Sequence, residues 1–440
     1  MTEKKARFAC HTLGCKVNQY DTEAMRELFQ AAGYETVPFD GEADVFLINT
    51  CTVTGTGDKK SLQLIRRCHR RCPAADIIVT GCLAQRDARS VSLPGVALVL
   101  GTQRRGEIIS LYERAKREGR RLVAVDPLKG AAFESLAVRS HAEHTRAVMK
   151  IQEGCNRFCT YCIIPYVRGP LRSCPPEEIG EEARRLSEAG FREIVLTGIH
   201  LTSYGQDLPG RPTLCDAVRA AQEAPGVLRI RLGSLEPVVV TESFIGGMRA
   251  CPKLCPQFHL ALQSGSDRIL SAMRRRYTAE AFLSACRRLR EAFPDAVLTT
   301  DAMTGFPGET EVDFEETVRV SRAVGFARMH VFPYSEREGT KAASFPDSVP
   351  AAVREERAAR LIAVGKELEQ AALQSFVGKR VRVLVEETDG EGCGTGYTEG
   401  YLRAMVPGVC AQGEEIAARV LRVSGGRLIT ERIDEQEGSS

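Results

Sequence analysis

The sequence has no long hydrophobic run and no apolar leader. Its 440 residues contain no stretch that approaches the roughly 18 consecutive apolar residues of a membrane span. The opening MTEKKARFAC lacks the apolar core of a secretory signal. These absences exclude an integral membrane protein and predict a cytoplasmic protein that makes no contact with a membrane.

The sequence also lacks a large excess of charge of one sign. The net charge is +3, which is too small to indicate a nucleic-acid partner by itself. The charge is unevenly distributed, because residues 1–125 carry more basic than acidic side chains and residues 376–440 carry the reverse. The first region is therefore the more basic part of the chain.

Cysteine, by contrast, is abundant. The chain has sixteen cysteines. Without an export signal these thiols are expected to stay reduced, and reduced thiols bind metal or carry out redox chemistry more often than they form disulfides. The cysteines are therefore the first candidates for function.

The pattern of apolar runs predicts an α/β protein with several domains. Residues 1–125 alternate continuous apolar strands, such as ADVFLINT and ADIIVTG, with helical segments, which predicts a parallel sheet covered on both faces. The segment DTEAMRELFQAAG predicts a helix with Asp21 as its N-cap and Gly33 as its stop signal. Residues 126–146 lack clear periodicity and are interpreted as a linker.

Residues 147–373 predict a partial TIM-like barrel. Helical segments separate six candidate strands, at residues 147–152, 193–197, 227–232, 257–262, 297–301 and 327–332. Six βα units make an incomplete (βα)6 barrel, and barrel active sites lie at the carboxyl ends of the strands. Residues 374–437 have short strands separated by glycine, which predicts a small C-terminal β-barrel.

Three cysteines lie close together in EGCNRFCTYCIIPYVRG. Cys155, Cys159 and Cys162 follow the first barrel strand with the spacing C-x3-C-x2-C. A [4Fe–4S] cluster normally takes four thiolates, so three would leave one iron open to a chelating amine and carboxylate. A structural zinc site would need a fourth ligand, and the nearest further cysteine is Cys174. Buried thiols without a ligand are the remaining alternative.

A second set of cysteines is dispersed in sequence. Cys15, Cys51 and Cys82 each fall just beyond an apolar strand of the first region. The carboxyl ends of neighbouring parallel strands meet at one edge of a sheet, so these thiols are predicted to converge into a second three-thiolate site. The alternative is that small apolar cysteines simply pack at strand ends.

A series of segments, taken in order, resembles the radical S-adenosylmethionine methylthiotransferase family: TLGCKVNQYDTE, INTCTVT, GCLAQ, EGCNRFCTYCIIPYVRGPLRS, LTGIHLTSYGQD, RLGSLEP, ALQSGSD and GFPGET. The resemblance covers nearly the whole chain and implies a radical SAM barrel followed by a TRAM-type β-barrel. It implies that the C-x3-C-x2-C cysteines hold a catalytic [4Fe–4S] cluster that binds S-adenosylmethionine. It also implies that Cys15, Cys51 and Cys82 hold a second [4Fe–4S] cluster, whose open iron carries sulfur.

Cofactor contacts are expected after successive barrel strands. The candidates are Thr197 and Gly198 after the second strand, Ser234 and Glu236 after the third, Gln263 and Ser264 after the fourth, and Gly305 and Glu309 in DAMTGFPGE. The alternative for GFPGET is a turn before a helix, whose amino end favours Glu309 and Glu311.

Details of the cysteine segments most resemble the branch of the family that converts N6-threonylcarbamoyladenosine, next to the tRNA anticodon, to its 2-methylthio derivative. Lys16 and Val17 stand where the isopentenyladenosine branch usually has Gln-Met and the branch that modifies a ribosomal-protein aspartate usually has Pro. The implied partners are tRNA, an electron donor and a sulfur source, and we expect a monomer. A non-catalytic, zinc-stabilised RNA-binding protein is the alternative from a different class.

Basic clusters supply candidates for contacts with RNA phosphates. IRRCHRRC carries Arg66, Arg67, Arg70 and Arg71, MRRRY adds Arg274, Arg275 and Arg276, and the acidic tail has one local patch of Lys379, Arg380 and Arg382. The alternative is that these runs are solvated faces.

Overall fold

The first region forms a six-stranded parallel sheet with helices around it. The computed structural model describes residues 5–136, 145–389 and 393–433. The strands are β1 (Arg7–Thr12), β2 (Glu35–Thr36), β3 (Val45–Thr50), β4 (Asp76–Gly81), β5 (Val96–Leu100) and β6 (Leu122–Ala124), in the order β2-β1-β3-β4-β5-β6. The helices are α1 (Lys16–Ala31), α2 (Gly55–Arg71), α3 (Cys82–Arg86), α4 (Ala88–Val91) and α5 (Ile108–Glu118). Strand β3 is buried along its whole length, as its continuous apolar sequence predicts.

Helix α1 begins earlier than the sequence predicts. Its first residue is Lys16 and its N-cap is Cys15, which has extended backbone and makes no capping hydrogen bond through its side chain. Asp21 is therefore not the N-cap, and it lies fully buried in the second turn. An aspartate before an apolar run predicts a cap only where its carboxylate lies beside the free N–H groups of the first turn. Here the Asp21 carboxylate bonds instead to Lys150 and Arg168 in the second region of the chain.

The second region is the predicted partial barrel. Its strands are β7 (Arg146–Glu153), β8 (Arg172–Ser173), β9 (Glu193–Gly198), β10 (Arg229–Leu232), β11 (Ser234–Leu235), β12 (Gln257–Leu260), β13 (Val297–Thr304) and β14 (Arg328–Pro333). They form two sheets, β10-β9-β7-β8 and β11-β12-β13-β14, which meet where Gly233 separates β10 from β11. Only β8 runs antiparallel within the two sheets, so the expectation of six parallel βα strands is confirmed.

Helices cover the outside of this barrel. They are α6 (Ile164–Arg168), α7 (Pro176–Glu188), α8 (Leu214–Gln222), α9 (Glu242–Arg249), α10 (Asp267–Ala272), α11 (Ala279–Ala292), α12 (Glu311–Val324) and α13 (Ala351–Gln374). The largest core cluster lies between the strands and these helices, and includes Ile194, Phe258 and Leu298. Across the described ranges, no helix combines the length and apolar composition that crossing a membrane requires.

The tail forms the predicted small barrel. Strands β15 (Arg380–Thr388), β16 (Gly394–Thr398), β17 (Arg403–Val406), β18 (Glu415–Ser424) and β19 (Arg427–Arg432) close in the order β15-β16-β17-β19-β18. This barrel packs against the amino ends of the strands in the partial barrel. Arg229, the first residue of β10, donates to a Glu415 carboxylate oxygen at 2.6 Å and to the Tyr397 carbonyl at 2.9 Å. The tail thus closes the end of the barrel opposite the loop that carries Cys155, Cys159 and Cys162.

The linker at residues 126–146 lies only partly within the described chain. Residues 137–144 fall outside it, as do residues 390–392 and 434–437 of the tail. The described part before residue 137 has no helix or strand, and its Leu136 packs with Tyr20 and Ala24 of α1. The domain boundaries at 1–125, 147–373 and 374–437 stay a prediction.

Candidate active site

Cys15, Cys51 and Cys82 converge at the carboxyl edge of the first sheet. Cys51 and Cys82 directly follow β3 and β4, and Cys15 follows β1 by three residues. Because β1, β3 and β4 are neighbours in the sheet, their carboxyl ends lie side by side. The structure therefore brings these three cysteines to one edge of the sheet, and their role as metal ligands stays a prediction.

The residues before these cysteines are in direct contact. Gly81 has φ +95°, and a Cβ placed there would lie 2.5 Å from the Thr50 carbonyl oxygen. Gly14 has φ +104°, and its Cβ would lie 2.9 Å from the Cys51 sulfur. Thr50 donates its hydroxyl to the Thr80 carbonyl at 2.6 Å. Only glycine allows the chain this close at both positions, so the approach of the thiols is built into the backbone.

Burial controls the protonation of these thiols. Burial, with smaller contributions from the thiols of Cys82 and Cys15, raises the pKa of Cys51 to about 12. Burial also raises the pKa of Cys162 to about 12 and that of Cys155 to about 11. A thiol with so high a pKa keeps its proton at neutral pH until a metal displaces it. These cysteines are therefore expected to lose their protons only when they bind a metal.

The C-x3-C-x2-C loop follows β7 and ends in the short helix α6. The Cys155 N–H donates to the Gly169 carbonyl at 3.0 Å, and the Cys162 N–H donates to the Cys159 carbonyl at 3.0 Å. Thr160 fixes the middle of the loop, since its N–H donates to the Met273 carbonyl at 3.1 Å. These bonds hold the three cysteines at the carboxyl end of the barrel.

Glu236 organises the cations around this loop. Its carboxylate lies 3.0 Å from Arg157 Nη2, 2.9 Å from Arg275 Nη1 and 3.2 Å from His200 Nε2. Burial by itself would raise the pKa of Glu236, but the hydrogen bond to His200 and the charges of the two guanidiniums lower it to about 2. Arg275 Nη1 also lies 3.6 Å from the Cys159 sulfur. Arg275, which the sequence suggested for RNA phosphates, is instead buried beside a cysteine.

The two cysteine sets meet across α6. Cys82 packs in one apolar cluster with Ile163, Ile164 and Val167. The Val167 carbonyl accepts a hydrogen bond from the Thr102 hydroxyl of the first region at 2.9 Å. At the end of α6, Arg168 Nε donates to the Cys82 sulfur at 3.3 Å. The helix that leaves the first cysteine loop thus rests on the second cysteine set.

A buried network of charges surrounds this contact. Asp21 of α1 bonds to Lys150 at 2.8 Å, to Arg168 at 3.0 Å and to Arg105 at 3.1 Å. Glu153, at the end of β7, bonds to Arg168 at 2.6 Å and to Lys150 at 3.3 Å. Sequence reasoning missed all five residues. The sequence indicates only Asp21, an acidic residue on the buried side of α1. Placing the start of the helix at Asp21 makes that buried position impossible to recognise.

The predicted cofactor residues fall into two groups. Thr197, Gly198, Ser234, Glu236 and Gln263 lie at or just beyond the carboxyl ends of barrel strands. Gln263 is buried with φ +62°, and its side-chain Oε1 has no hydrogen-bond partner in the part of the chain that the structure describes. A buried acceptor of this kind costs stability unless a ligand satisfies it. Gln263 is therefore the candidate that best fits contact with a cofactor.

Ser264, Gly305 and Glu309 bond within the protein. Ser264 lies 3.5 Å from the Thr317 hydroxyl. Glu309 accepts the Gly305 N–H at 2.8 Å and pairs with Arg357 at 2.9 Å. Helix α12 begins after the N-cap Thr310. These contacts favour the turn interpretation of GFPGET, and the expected cofactor contacts of these three residues stay a prediction.

The candidate RNA contacts also differ among themselves. Arg66 and Arg70 are exposed on α2, whereas Arg67 pairs with Asp40 at 2.5 Å and Arg71 lies over the Phe46 ring at 5.2 Å. In the tail, Lys379 pairs with Asp295 at 2.9 Å, Arg382 pairs with Glu399, and Arg380 is exposed. Carboxylates thus engage two of the three cations in the predicted tail patch.

The six thiols are donors of the kind that hold iron–sulfur clusters. Within the described ranges, no three His, Cys, Asp or Glu side chains are placed to hold one metal ion. The thiolates of a [4Fe–4S] cube bind different irons, so they need to surround a volume rather than a point. All six donors are thiols, and in each set an arginine nitrogen approaches one sulfur; that each set holds a cluster stays a prediction.

Known proteins resemble the chain over nearly its whole length. Residues 149–320 match the family model of the radical SAM superfamily, and residues 7–101 match that of the uncharacterized protein family UPF0004. The threonylcarbamoyladenosine tRNA methylthiotransferase MtaB of Bacillus subtilis (strain 168) is 42% identical over 424 residues, covering 95% of this chain and 93% of the relative.

A second type of relative bears a different name. The tRNA-2-methylthio-N(6)-dimethylallyladenosine synthase of Clavibacter michiganensis subsp. michiganensis (strain NCPPB 382) is 36% identical over 449 residues, covering 98% of this chain and 84% of the relative. Among solved structures, the radical S-adenosylmethionine methyltransferase TsrM from Kitasatospora setae has a TM-score of 0.58 at 14% identity, with 77% of each chain covered. The latter similarity concerns the fold alone.

Proposed function

This chain belongs to the radical S-adenosylmethionine methylthiotransferase family of enzymes, and on that premise we propose that it adds a methylthio group to C2 of N6-threonylcarbamoyladenosine next to the anticodon of tRNA. The family implies one [4Fe–4S] cluster and S-adenosylmethionine. We propose that Cys155, Cys159 and Cys162 hold this cluster. Cys15, Cys51 and Cys82 are proposed to hold a second one.

The observation that carries the proposal is the contact of the two cysteine sets across α6. Methylthiolation joins a sulfur to a carbon that is otherwise unreactive, so the sulfur source and the radical source must serve one substrate. When bound, the two clusters and S-adenosylmethionine supply hydrogen abstraction, sulfur and a methyl group. The packing of Ile163 and Val167 on Cys82 supports a single reaction site for both sets.

The residues around the cysteines position the site. Glu236 stays ionised and holds Arg157 and Arg275, and Arg275 in turn approaches the Cys159 sulfur. A buried carboxylate with two guanidiniums fixes the loop more rigidly than apolar packing alone would. Gln263 offers its unpaired Oε1 to a ligand with a hydrogen-bond donor, which suits the amino group of S-adenosylmethionine.

A basic groove beside Cys15 suits the phosphates of tRNA. His11, Leu13, Lys60, Gln63, Leu64, Arg67 and Arg70 line a cavity of about 600 Å³. Leu13 lies two residues before Cys15, so the groove adjoins the second cysteine set. Cations on one face supply the sequence-independent part of nucleic-acid affinity. The groove therefore supports the first region, rather than the acidic tail, as the part that binds the anticodon stem.

The choice of nucleoside rests on sequence. Relatives named for threonylcarbamoyladenosine are 35–42% identical and relatives named for dimethylallyladenosine are 36–38% identical, so of these the Bacillus subtilis relative alone, at 42%, favours the first nucleoside. Lys16 and Val17, next to the first cysteine, also favour the threonylcarbamoyl branch. Both kinds of relative are named for tRNA, so the ribosomal-protein aspartate is less favoured as the substrate.

The test is a nucleoside analysis with two substrates. Anaerobically reconstituted enzyme is incubated with S-adenosylmethionine, reductant and sulfide, and with tRNA that carries either N6-threonylcarbamoyladenosine or N6-dimethylallyladenosine. Mass spectrometry of the digested tRNA should find the methylthio derivative of the threonylcarbamoyl nucleoside alone. Product from the dimethylallyl substrate alone would move the enzyme to the other branch. A preparation with well under about eight irons per chain, four for each cube, would argue against two clusters.

A further inference from the structure

Arg168 occupies an unusual position between the two cysteine sets. It is the last residue of α6 and follows Cys162 by six residues. Its side chain is completely buried, and its Nε donates to the Cys82 sulfur at 3.3 Å. An arginine on the loop of the first set thus contacts a cysteine of the second set.

Neighbouring polar groups hold the guanidinium in one orientation. Nη1 lies 3.0 Å from an Asp21 carboxylate oxygen and 2.6 Å from a Glu153 carboxylate oxygen. Nη2 donates to the side-chain oxygen of Asn18. With these three acceptors on the outer nitrogens, the Nε–H is left to point at sulfur. The direction of the N–H to sulfur bond is therefore set by residues from two regions of the chain.

The charges of the network do not cancel. Its cations are Arg105, Lys150, Arg168 and Arg172, and its carboxylates are Asp21, Glu134 and Glu153. One positive charge is left over in a buried site, and an unpaired buried charge is costly. The Cys82 sulfur is in direct contact with this network. A cluster-bound thiolate at Cys82 supplies the missing negative charge.

We propose that Arg168 is a positioning residue that bonds to the Cys82 thiolate and raises the reduction potential of the cluster held by Cys15, Cys51 and Cys82. Hydrogen bonds to cysteine sulfurs and nearby charge are among the features that set the potential of an iron–sulfur cluster. A fixed cation stabilises the reduced form, which carries one more negative charge. The inference rests on the proposed function, because it needs the second cluster.

The test isolates the second cluster in the full-length chain. In a protein with Cys155→Ala, Cys159→Ala and Cys162→Ala, only the second cluster remains, and its midpoint potential is measured by redox titration monitored by EPR. Arg168→Met should shift the potential to a more negative value. Lys150→Met is the matched control, because it removes one cation from the same network, and Lys150 bonds to Asp21 and Glu153 rather than to sulfur. Its shift should be clearly smaller.

Arg168→Lys separates charge from geometry. It keeps the cation but loses the planar Nε–H, so its potential should lie between those of the parent and Arg168→Met. It also carries the comparison with Lys150→Met if Arg168→Met does not fold. Equal shifts in Arg168→Met and Lys150→Met, or no shift in either arginine variant, would overturn the inference. Failure of the proposed function looks different, because the parent triple-alanine protein would then bind far fewer than about four irons.

Discussion

The two cysteine sets reach similar arrangements by opposite routes. Cys155, Cys159 and Cys162 lie on one loop, so their proximity is local and is readable from spacing alone. Cys15, Cys51 and Cys82 are brought together only when β1, β3 and β4 align in one sheet. The first set therefore depends on the conformation of a loop, and the second depends on the folding of a whole domain.

Their electrostatic surroundings differ as well. The first set borders Glu236 and its two arginines, where one carboxylate serves as the hub. The second set borders a network with more cations than carboxylates, which ends at the Cys82 sulfur. The comparison teaches that similar donor sets in one protein can be held at different charge, and so be suited to different tasks.

Removing one cysteine from each set is the strongest way to separate their tasks, and it has the largest expected effect. Cys155→Ala should lose about half of the iron and all cleavage of S-adenosylmethionine, because the cluster that binds it is gone. Cys82→Ala should also lose about half of the iron, but should still cleave the cofactor while forming no methylthio product. Iron analysis and chromatography of 5′-deoxyadenosine measure both. Retained cleavage in Cys155→Ala would show that the sets are wrongly assigned.

Glu236→Gln tests the carboxylate that pairs with both Arg157 and Arg275 beside the first set. The buried guanidinium of Arg275 and the partly buried guanidinium of Arg157 would lose their counter-charge, and breaking a buried ion pair costs about 3–5 kcal/mol. Chemical denaturation should show a loss of this order in the apoprotein. Glu280→Gln, which removes the partner of Arg287 in an exposed ion pair, is the control and should cost less than about 1 kcal/mol.

The pH dependence of Glu236 has a defined sign. Its pKa in the folded protein is about 2, below the ordinary value for glutamate of 4.5. Its contribution is therefore fully present above pH 4.5 and is lost as the pH falls toward 2. The stability of the Gln variant should lack this part of the acid dependence. A variant as acid-sensitive as the parent would argue against the ion pairs.

Gly81→Ala tests the backbone on which the second set depends. A Cβ there would overlap the Thr50 carbonyl, and φ +95° strains any side chain. We expect a loss of about 2–3 kcal/mol in the free energy of unfolding and a loss of iron from the second set. Gly33→Ala is a matched control, since Gly33 has φ +91° but no atom within 4 Å of the added Cβ. Equal effects of the two changes would mean that the close approach at Gly81 is unimportant.

Arg70→Ala should have the smallest effect and sharpens the contrast between the two ends of the chain. Removing one phosphate contact should weaken tRNA binding modestly and lower the slope of log affinity against log salt by about one. Filter binding over a range of salt measures this slope. Arg380→Ala, in the acidic tail, should leave it nearly unchanged. The reverse order would assign the RNA contact to the tail.

The sequence predicted the elements with local signals. The continuous apolar runs located β3 and β4, and the six βα units located the barrel strands to within a few residues. The carboxyl ends of neighbouring parallel strands lie at one edge of a sheet, and this predicts that Cys15, Cys51 and Cys82 lie near one another. The prediction needs only the order of the strands.

The missed features depend on contacts between distant segments. Lys150 and Asp21 are 129 residues apart in sequence, and neither has a neighbour that predicts the other. The sequence predicts Asp21 as a helix cap, because an aspartate before an apolar run is commonly one. Arg275 lies in a run of three arginines that predicts contacts with RNA phosphates, yet the turn after α10 directs it inward to Glu236. Local patterns cannot indicate such pairings.

Strand β7 joins the tail to the first cysteine loop. At its amino end Arg146 pairs with Glu386 of the small barrel at 3.0 Å, and its carboxyl end leads directly into Gly154 and Cys155. Its eight residues, at about 3.3 Å each, separate those two points by roughly 26 Å. A free nucleoside is far too short to touch both. A molecule that contacts the small barrel while one of its bases reaches the cysteines must therefore be a polynucleotide several units long.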